Sequence, residues 1–225
     1  MSRIHDMGGR FGDGKVEVDA PDAPVFAEDW HARALAVTLA CGALGQWNLD
    51  TSRHAREKLS PRDYTRFSYY EKWMAGLADL LVAKGVLTRE ELTKGHADGP
   101  SQLAERCLVA ENVPSALSKG GPVDRPSDVA AKFAPGDRVT TRARARNTLV
   151  DGGHTRLPTY AQGATGTILR LHGAHVFPDS NAHGLGEAPE PIYAVVFDAA
   201  ELFGAPERVG DEVILDLWQS YLSPA

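Results

Sequence analysis

Gly120-Gly121-Pro122-Val123-Asp124-Arg125-Pro126 divides this sequence into two parts that read differently. Glycine frees the backbone and proline removes a donor, so their clustering marks a linker. Before it, apolar residues recur at helical spacing. After it, they gather in short β-branched runs. The expected fold is therefore α+β in two parts: residues 1–120, an N-terminal arm and helical domain, and residues 121–225, a small β-barrel.

On the N-terminal side, Trp30, Ala34, Val37 and Cys41 fall at i, i+4, i+7 and i+11, which predicts a helix over about 28–44. Glu28 and Asp29 suit its positive end. A second helix is expected over 52–59. Ser60-Pro61-Arg62-Asp63 starts a third, with Ser as N-cap, Pro at the first helical position and an acid in the first turn. Tyr64, Phe67, Tyr70, Met74, Leu77 and Leu81 continue it without interruption, and Gly85 is its stop. Thr88-Arg89-Glu90-Glu91 is a capping box for a short helix ending near Gly95. A weaker helix is expected over 102–112. Residues 1–24, rich in Gly, Asp and Pro, read as an extended arm that needs a surface to lie on.

On the C-terminal side, 137–141, 166–171, 192–197 and 212–217 carry β-branched and apolar residues between Gly- and Pro-marked turns. Several short strands in roughly 100 residues suggest the barrel.

The composition narrows the function. A formal net charge of -6 and no basic run make nucleic acid a poor partner. No stretch approaches the ~20 apolar residues of a membrane span, and Met1-Ser2-Arg3-Ile4-His5-Asp6 lacks a signal-peptide core, so a cytoplasmic protein is expected. Cys41 and Cys107 are far apart and form no metal or disulfide pattern.

Two motifs tempt. Gly9-Arg10-Phe11-Gly12-Asp13-Gly14-Lys15-Val16 nearly spells a phosphate loop, but Val16 stands where a magnesium-binding hydroxyl is needed, and no strand precedes it. Glycines that let the arm turn explain it more simply. His172, His175 and His183 sit among glycines with no Cys or paired acid at ligand spacing. Local hydrogen bonding is the expected role, and no metal site is assigned to this chain. Tyr69-Tyr70-Glu71-Lys72-Trp73 is more informative. Tyr70 belongs to the core face, while Tyr69 and Trp73 are i and i+4 on a second face, where a phenol and an indole can line a small-molecule pocket. Arg53, at a helix start, and Arg156, in a loop, read by themselves as surface arginines.

Taken in order, these segments resemble the nitrile hydratase β subunit from end to end. Ile4-His5-Asp6-Met7-Gly8-Gly9 is similar to its opening, as are Pro24-Val25-Phe26, Asn48-Leu49-Asp50 with Arg53-His54, Tyr69-Tyr70-Glu71 and Lys84-Gly85-Val86-Leu87-Thr88. Phe133-Ala134-Pro135-Gly136-Asp137, Gly153-His154-Thr155-Arg156-Leu157-Pro158, Phe177-Pro178-Asp179, Ala182-His183-Gly184 and Tyr221-Leu222-Ser223-Pro224 follow in family order.

The resemblance implies a helical half with an extended arm, an SH3-like β-barrel half, and assembly with an α subunit as αβ, doubled to α2β2. It implies hydration of a small nitrile to an amide at a cobalt ion, with iron as the alternative, held by oxidised cysteines of the α subunit and not by this chain. Arg53-His54 and Ala182-His183-Gly184 look closer to the cobalt type. It further implies that Arg53 and Arg156 hydrogen-bond those oxidised ligands, that Tyr69 presents its hydroxyl to the pocket, and that Leu49, Ser52 and Trp73 line it. Two positions depart from the pattern: Ser52 stands where many relatives carry Phe, and Lys72 where several carry His. The alternatives are a component of thiocyanate hydrolase, whose two halves are usually separate chains, and a non-catalytic binding or adaptor subunit.

Overall fold

The computed structural model describes residues 4–6, 17–206 and 208–225. The phosphate-loop look-alike at 9–16 lies outside the described residues, as does much of the expected arm; residues 17–24 are exposed and form neither helix nor strand. The chain divides into two compact units, Val16–Gly121 and Pro122–Ala225, the latter taking in the N-terminal residues.

In the helical unit, α1 (Asp29–Ala43) and α2 (Leu49–Glu57) both pack on α4 (Tyr69–Ala83). Ala34, Leu77, Leu80 and Leu81 are buried there. The helix expected to run unbroken from Pro61 is two helices, α3 (Pro61–Arg66) and α4. Phe67 is extended at φ -76° and ψ 138°. Ser68 then restarts the helix with a capping box, its N–H donating to Glu71 Oε2 over 2.7 Å. That box satisfies the backbone donors that the break exposes. The second capping box behaves as expected: Thr88 and Glu91 open α5 (Arg89–Lys94), and Gly95 closes it at φ 75°.

No α-helix spans 102–112. Two 3₁₀ turns, Ala104–Arg106 and Ala110–Asn112, lead into α6 (Val113–Lys119). Pro114 has no N–H to donate and fits a first turn, so the helix starts beside it.

In the sheet unit, β1 (Arg138–Thr141), β2 (Thr165–His175), β3 (Glu190–Asp198), β4 (Glu212–Trp218) and β5 (Leu222–Pro224) form one antiparallel sheet in the order β4-β3-β2-β1-β5. The expected closed barrel differs from this: β4 and β5 are the sheet's two edges, and among the described residues no ladder joins them. β5 pairs with β1 along its whole three-residue length, and the 3₁₀ turn Gln219–Tyr221 carries the chain to it from β4. β3, an interior strand between β4 and β2, is buried from Glu190 to Val195 on both faces, and Val139, Ile168, Tyr193, Phe197 and Leu217 form the core around it. The linker is fastened to this unit, since Arg125 grips Glu187 through two hydrogen bonds of 2.7 and 2.9 Å.

Among the described residues no helix is long and apolar enough to cross a membrane.

Candidate functional site

The residues singled out in the sequence fall into two groups, one in each unit.

In the helical unit, Asn48 caps α2 by accepting from the Thr51 N–H over 2.9 Å. This fixes a stripe along the helix, because Leu49, Ser52, Arg53 and Arg56 lie at i, i+3, i+4 and i+7. Leu49 is half exposed. Arg53 donates through Nη1 to Asp50 Oδ1 over 2.9 Å, and Asp50 is almost buried. A guanidinium has five N–H donors, so this contact leaves most of the fork for another acceptor.

The facing helix, α4, brings Tyr69 and Trp73 together with ring centroids 5.5 Å apart. Tyr69 is 64% exposed, although it is a large aromatic residue. Tyr70 joins an aromatic group with Phe26, Trp30 and His31, and its ring also meets Tyr69 at 5.2 Å and Trp73 at 6.1 Å. The two faces expected from the spacing are therefore joined through the half-buried ring of Tyr70.

The two stripes meet at a residue the sequence reading passed over. The guanidinium of Arg56 lies over the Trp73 indole, 4.6 Å from the ring centre. Its backbone crosses α4 at Gly76, where a Cβ would come within 2.8 Å of Arg56 Cγ and 3.2 Å of its backbone nitrogen. Glycine is thus what lets α2 press against α4. Burial lowers the Arg56 pKa; the Tyr69 and Glu57 charges oppose the shift and Arg53 adds to it. No local motif marks this arrangement, since Arg56 lies on α2 and Trp73 and Gly76 lie on α4.

In the sheet unit, Arg156 is exposed and lies in the long loop between β1 and β2. Its backbone N–H donates to the phenol oxygen of Tyr221 over 3.1 Å, and the Thr155 hydroxyl donates to the same oxygen over 3.2 Å. The Tyr221 hydroxyl in turn donates to Asp179 Oδ1. Asn147 ties the loop down from the other side: its amide donates to the His154 carbonyl over 2.6 Å and to the Asp179 carbonyl over 2.8 Å. Gly153 is pressed so closely that a Cβ would sit 2.7 Å from His183 Nε2. The arm contributes as well, for Asp6 accepts from the Thr159 N–H over 3.0 Å.

Asp179 has no exposed surface. Burial raises its pKa to about 6, even though the hydrogen bonds from Tyr221 and Thr155 and the charge of Arg142 work to lower it. Burial also pushes the Tyr221 phenol well above its usual value, and the Asp179 charge adds to the shift.

His172 and His175, expected in a turn-rich segment, lie in β2, and His183 follows the short helix Pro178–Asn181. His183 Nε2 accepts from the His154 N–H over 3.0 Å, His172 pairs with Asp216 over 2.8 Å, and His175 is bridged to Asp124 through the backbone. Among the described residues no group of three or more His, Cys, Asp or Glu side chains could hold a metal ion.

Comparison with known proteins covers the whole length. One family model, described as nitrile hydratase beta subunit, N-terminal, matches residues 1–120, and a second, described as nitrile hydratase beta subunit, C-terminal, matches residues 122–224. A low-molecular weight cobalt-containing nitrile hydratase subunit beta from Rhodococcus rhodochrous is 37% identical, with all of both chains aligned. A cobalt-containing nitrile hydratase subunit beta from Pseudonocardia thermophila is 33% identical over 99% of this chain and 96% of its own. Among solved structures, recombinant apo thiocyanate hydrolase from Thiobacillus thioparus is 27% identical, covers 52% of this chain and 98% of its own, and has a TM-score of 0.38.

Proposed function

This chain belongs to the nitrile hydratase β-subunit family, and from that premise we propose that it joins a separate α subunit to form a cytoplasmic hydro-lyase that adds water to small nitriles and yields amides. The observation that carries the reading is the full-length match, at 37% identity, to a subunit of that name. Names of relatives also support cobalt over iron. The metal belongs to the α subunit in this reading, and αβ pairs double to α2β2. The sheet unit is the counterpart of the family's SH3-like barrel.

The chemistry assigned to this chain follows from its side chains. Oxidised cysteine ligands present negatively charged oxygens, and a guanidinium meets such acceptors with several directed, charge-assisted hydrogen bonds. Arg53 and Arg156 take that role. Arg53 is suited to it because Asp50 holds one nitrogen and leaves further donors available. Arg156 is suited because the Tyr221 phenol fixes its backbone while its side chain remains exposed. Tyr69 offers an exposed phenol to the substrate, and Leu49, Ser52 and Trp73 supply apolar and small surfaces around it.

The test is co-expression with the α subunit, followed by metal analysis and an assay for amide formed from a small aliphatic and an aromatic nitrile. Amide production by a cobalt-containing complex is expected. Assembly with a metal-containing chain but hydrolysis of thiocyanate in place of nitrile hydration would transfer the protein to the thiocyanate hydrolases, and assembly with no metal-containing chain and no hydration would make it an adaptor.

A further inference from the structure

Three cations of the helical unit, Arg56, Arg66 and Lys72, lie over aromatic rings. Arg53 pairs with Asp50, Arg66 with Asp63 and Lys94 with Asp98. Among the described residues Arg56 has no carboxylate partner of this kind and rests on an aromatic ring. A half-buried guanidinium without an anion keeps a cost of desolvation that an anion would offset. Its place is also fixed. Its stem crosses Gly76, where there is no room to retreat, and its charged end is held on the Trp73 indole by a cation–π contact. It shares a stripe of α2 with Leu49, Ser52 and Arg53; of the carboxylates on that helix, Asp50 is paired with Arg53, and the charge of Glu57 acts on Arg56 without an ion pair between them. Ser52, one turn before Arg56, carries a small, half-buried side chain.

Resting on the functional reading above, we propose that Arg56 is a specificity-determining residue, and that it selects nitriles carrying a carboxylate at the end remote from the nitrile carbon. Arg56 would form the charge-assisted hydrogen bond to that carboxylate while Trp73 packs against the body of the substrate. The hydration itself is unchanged by this contact, which acts on binding and orientation.

The test compares 4-cyanobenzoate with 4-methylbenzonitrile, which are close in shape and differ in charge, using the assembled wild-type complex and its Arg56→Met and Arg56→Lys variants. Wild type should show the higher kcat/KM for 4-cyanobenzoate, and added salt should narrow the difference, since a part-exposed ion pair is screened. Arg56→Met should lower the acid-to-neutral ratio of kcat/KM by roughly ten- to a hundred-fold, the loss expected for one charge-assisted hydrogen bond. Arg56→Lys, which keeps charge but not the planar stack, should fall between. Three outcomes would overturn the proposal: no preference for the acid in wild type, a ratio unmoved by Arg56→Met, or an equal loss on both substrates, which would make Arg56 only a support for Trp73 or a contact to the partner subunit. Should the Met variant fail to assemble, the wild-type ratio, its salt dependence and the Lys variant still decide. Failure of the wider reading looks different, because the wild-type complex would then hydrate neither nitrile.

Discussion

The backbone N–H of Arg156 ends on the phenol oxygen of Tyr221, 3.1 Å away, at a point where that oxygen has already given its proton to Asp179 in a hydrogen bond. A loop arginine is thus held by a residue 65 positions later in the chain, next to the last strand. The side chain keeps its freedom while its root is fixed. Tyr221→Phe removes one donor and one acceptor from a fully buried place. It leaves the Asp179 carboxyl without that donor and the Arg156 N–H without its acceptor. We predict a loss of about 1–3 kcal/mol in stability, the usual penalty for a buried polar group left unsatisfied, read as a lower midpoint in urea. Hydration by the assembled protein should fall as well. Unchanged stability and activity would show that the phenol does not anchor the loop.

Asp179 predicts a pH dependence whose direction is opposite to that of an ordinary ion-paired aspartate. Its pKa in the fold is raised to about 6 by burial, so the folded state holds this proton more tightly than the unfolded chain. The stability it permits is complete below the ordinary aspartate pKa and declines as pH rises toward 6, by about 3 kcal/mol in all. Asp179→Asn cannot ionise, yet its side-chain oxygen can still accept from Tyr221. The difference in unfolding free energy between wild type and variant should therefore change between about pH 4 and pH 6 and be level above 7. A difference that stays constant across that range would mean the carboxyl is not desolvated in the fold.

Gly76 sets two effects against each other. Alanine favours a helix interior over glycine by about 1 kcal/mol, but here its Cβ would meet Arg56 Cγ at 2.8 Å and the Arg56 backbone beyond it. Overpacking of that kind costs typically 1–3 kcal/mol, and backbone cannot swing aside as a side-chain tip can. Gly76→Ala should therefore be destabilising by about 1 kcal/mol, with the cation–aromatic contact between Arg56 and Trp73 disturbed. A rise in thermal stability, with Trp fluorescence unchanged, would show that the helices separate at little cost.

How far the sequence reveals such features depends on how local they are. The capping box of Thr88 and Glu91 and the stop at Gly95 lie within eight residues, and the helix they bound forms as read. Ser68 and Glu71 form an equally good box, but Tyr64, Phe67 and Tyr70 carry the hydrophobic spacing straight across it, and the spacing conceals the break. Four strands are legible from their β-branched runs. The fifth, Leu222–Pro224, is three residues ending in proline, and whether a sheet closes depends on strand pairings that no single run encodes. At the site, Tyr69 and Trp73 are visible as a helical i and i+4 pair, whereas Arg53 and Arg156 are distinguishable from surface arginines only by family resemblance. The Asn147, Asp179 and Tyr221 network and the Arg56 contact escape a linear reading because their members meet only in the folded chain.

Ser52 offers a direct probe of the proposed pocket. It lies on the same α2 stripe as Leu49 and Arg53, and a larger side chain there would take up space beside them. Ser52→Phe should alter substrate range more than stability. The ratio of kcat/KM for a bulky aromatic nitrile to that for a small aliphatic one is expected to drop by the equivalent of about 1–3 kcal/mol, a typical range for a steric difference in an apolar pocket. An unchanged ratio removes Ser52 from the pocket.

Arg53→Lys tests the central assignment with charge preserved. Arg53 already uses one nitrogen on Asp50, at 2.9 Å, and the proposed role needs further donors in a fixed plane to reach oxidised cysteine ligands. Lysine offers a compact ammonium on a flexible stem, so it can satisfy Asp50 or a second acceptor but cannot reproduce the fork. Loss of one charge-assisted hydrogen bond costs roughly 1.5–3 kcal/mol. At about 1.36 kcal/mol per decade, that corresponds to a ten- to hundred-fold fall in kcat if the bond strengthens in the transition state. A second consequence is chemical. A sulfenate without its hydrogen-bond donor is more open to further oxidation, and the step beyond sulfinic acid is irreversible. An ordinary surface pair at i and i+3 predicts something else, near-normal kcat and an unaltered oxidation pattern, because such pairs contribute under about 1 kcal/mol and act on nothing beyond themselves. Co-expression of the variant with the α subunit, followed by kcat, metal content and the mass of the cysteine-bearing peptide, separates the two. Full activity with metal retained would reject Arg53 as a partner of the oxidised ligands and leave Asp50 and Arg53 as a helix-stabilising pair.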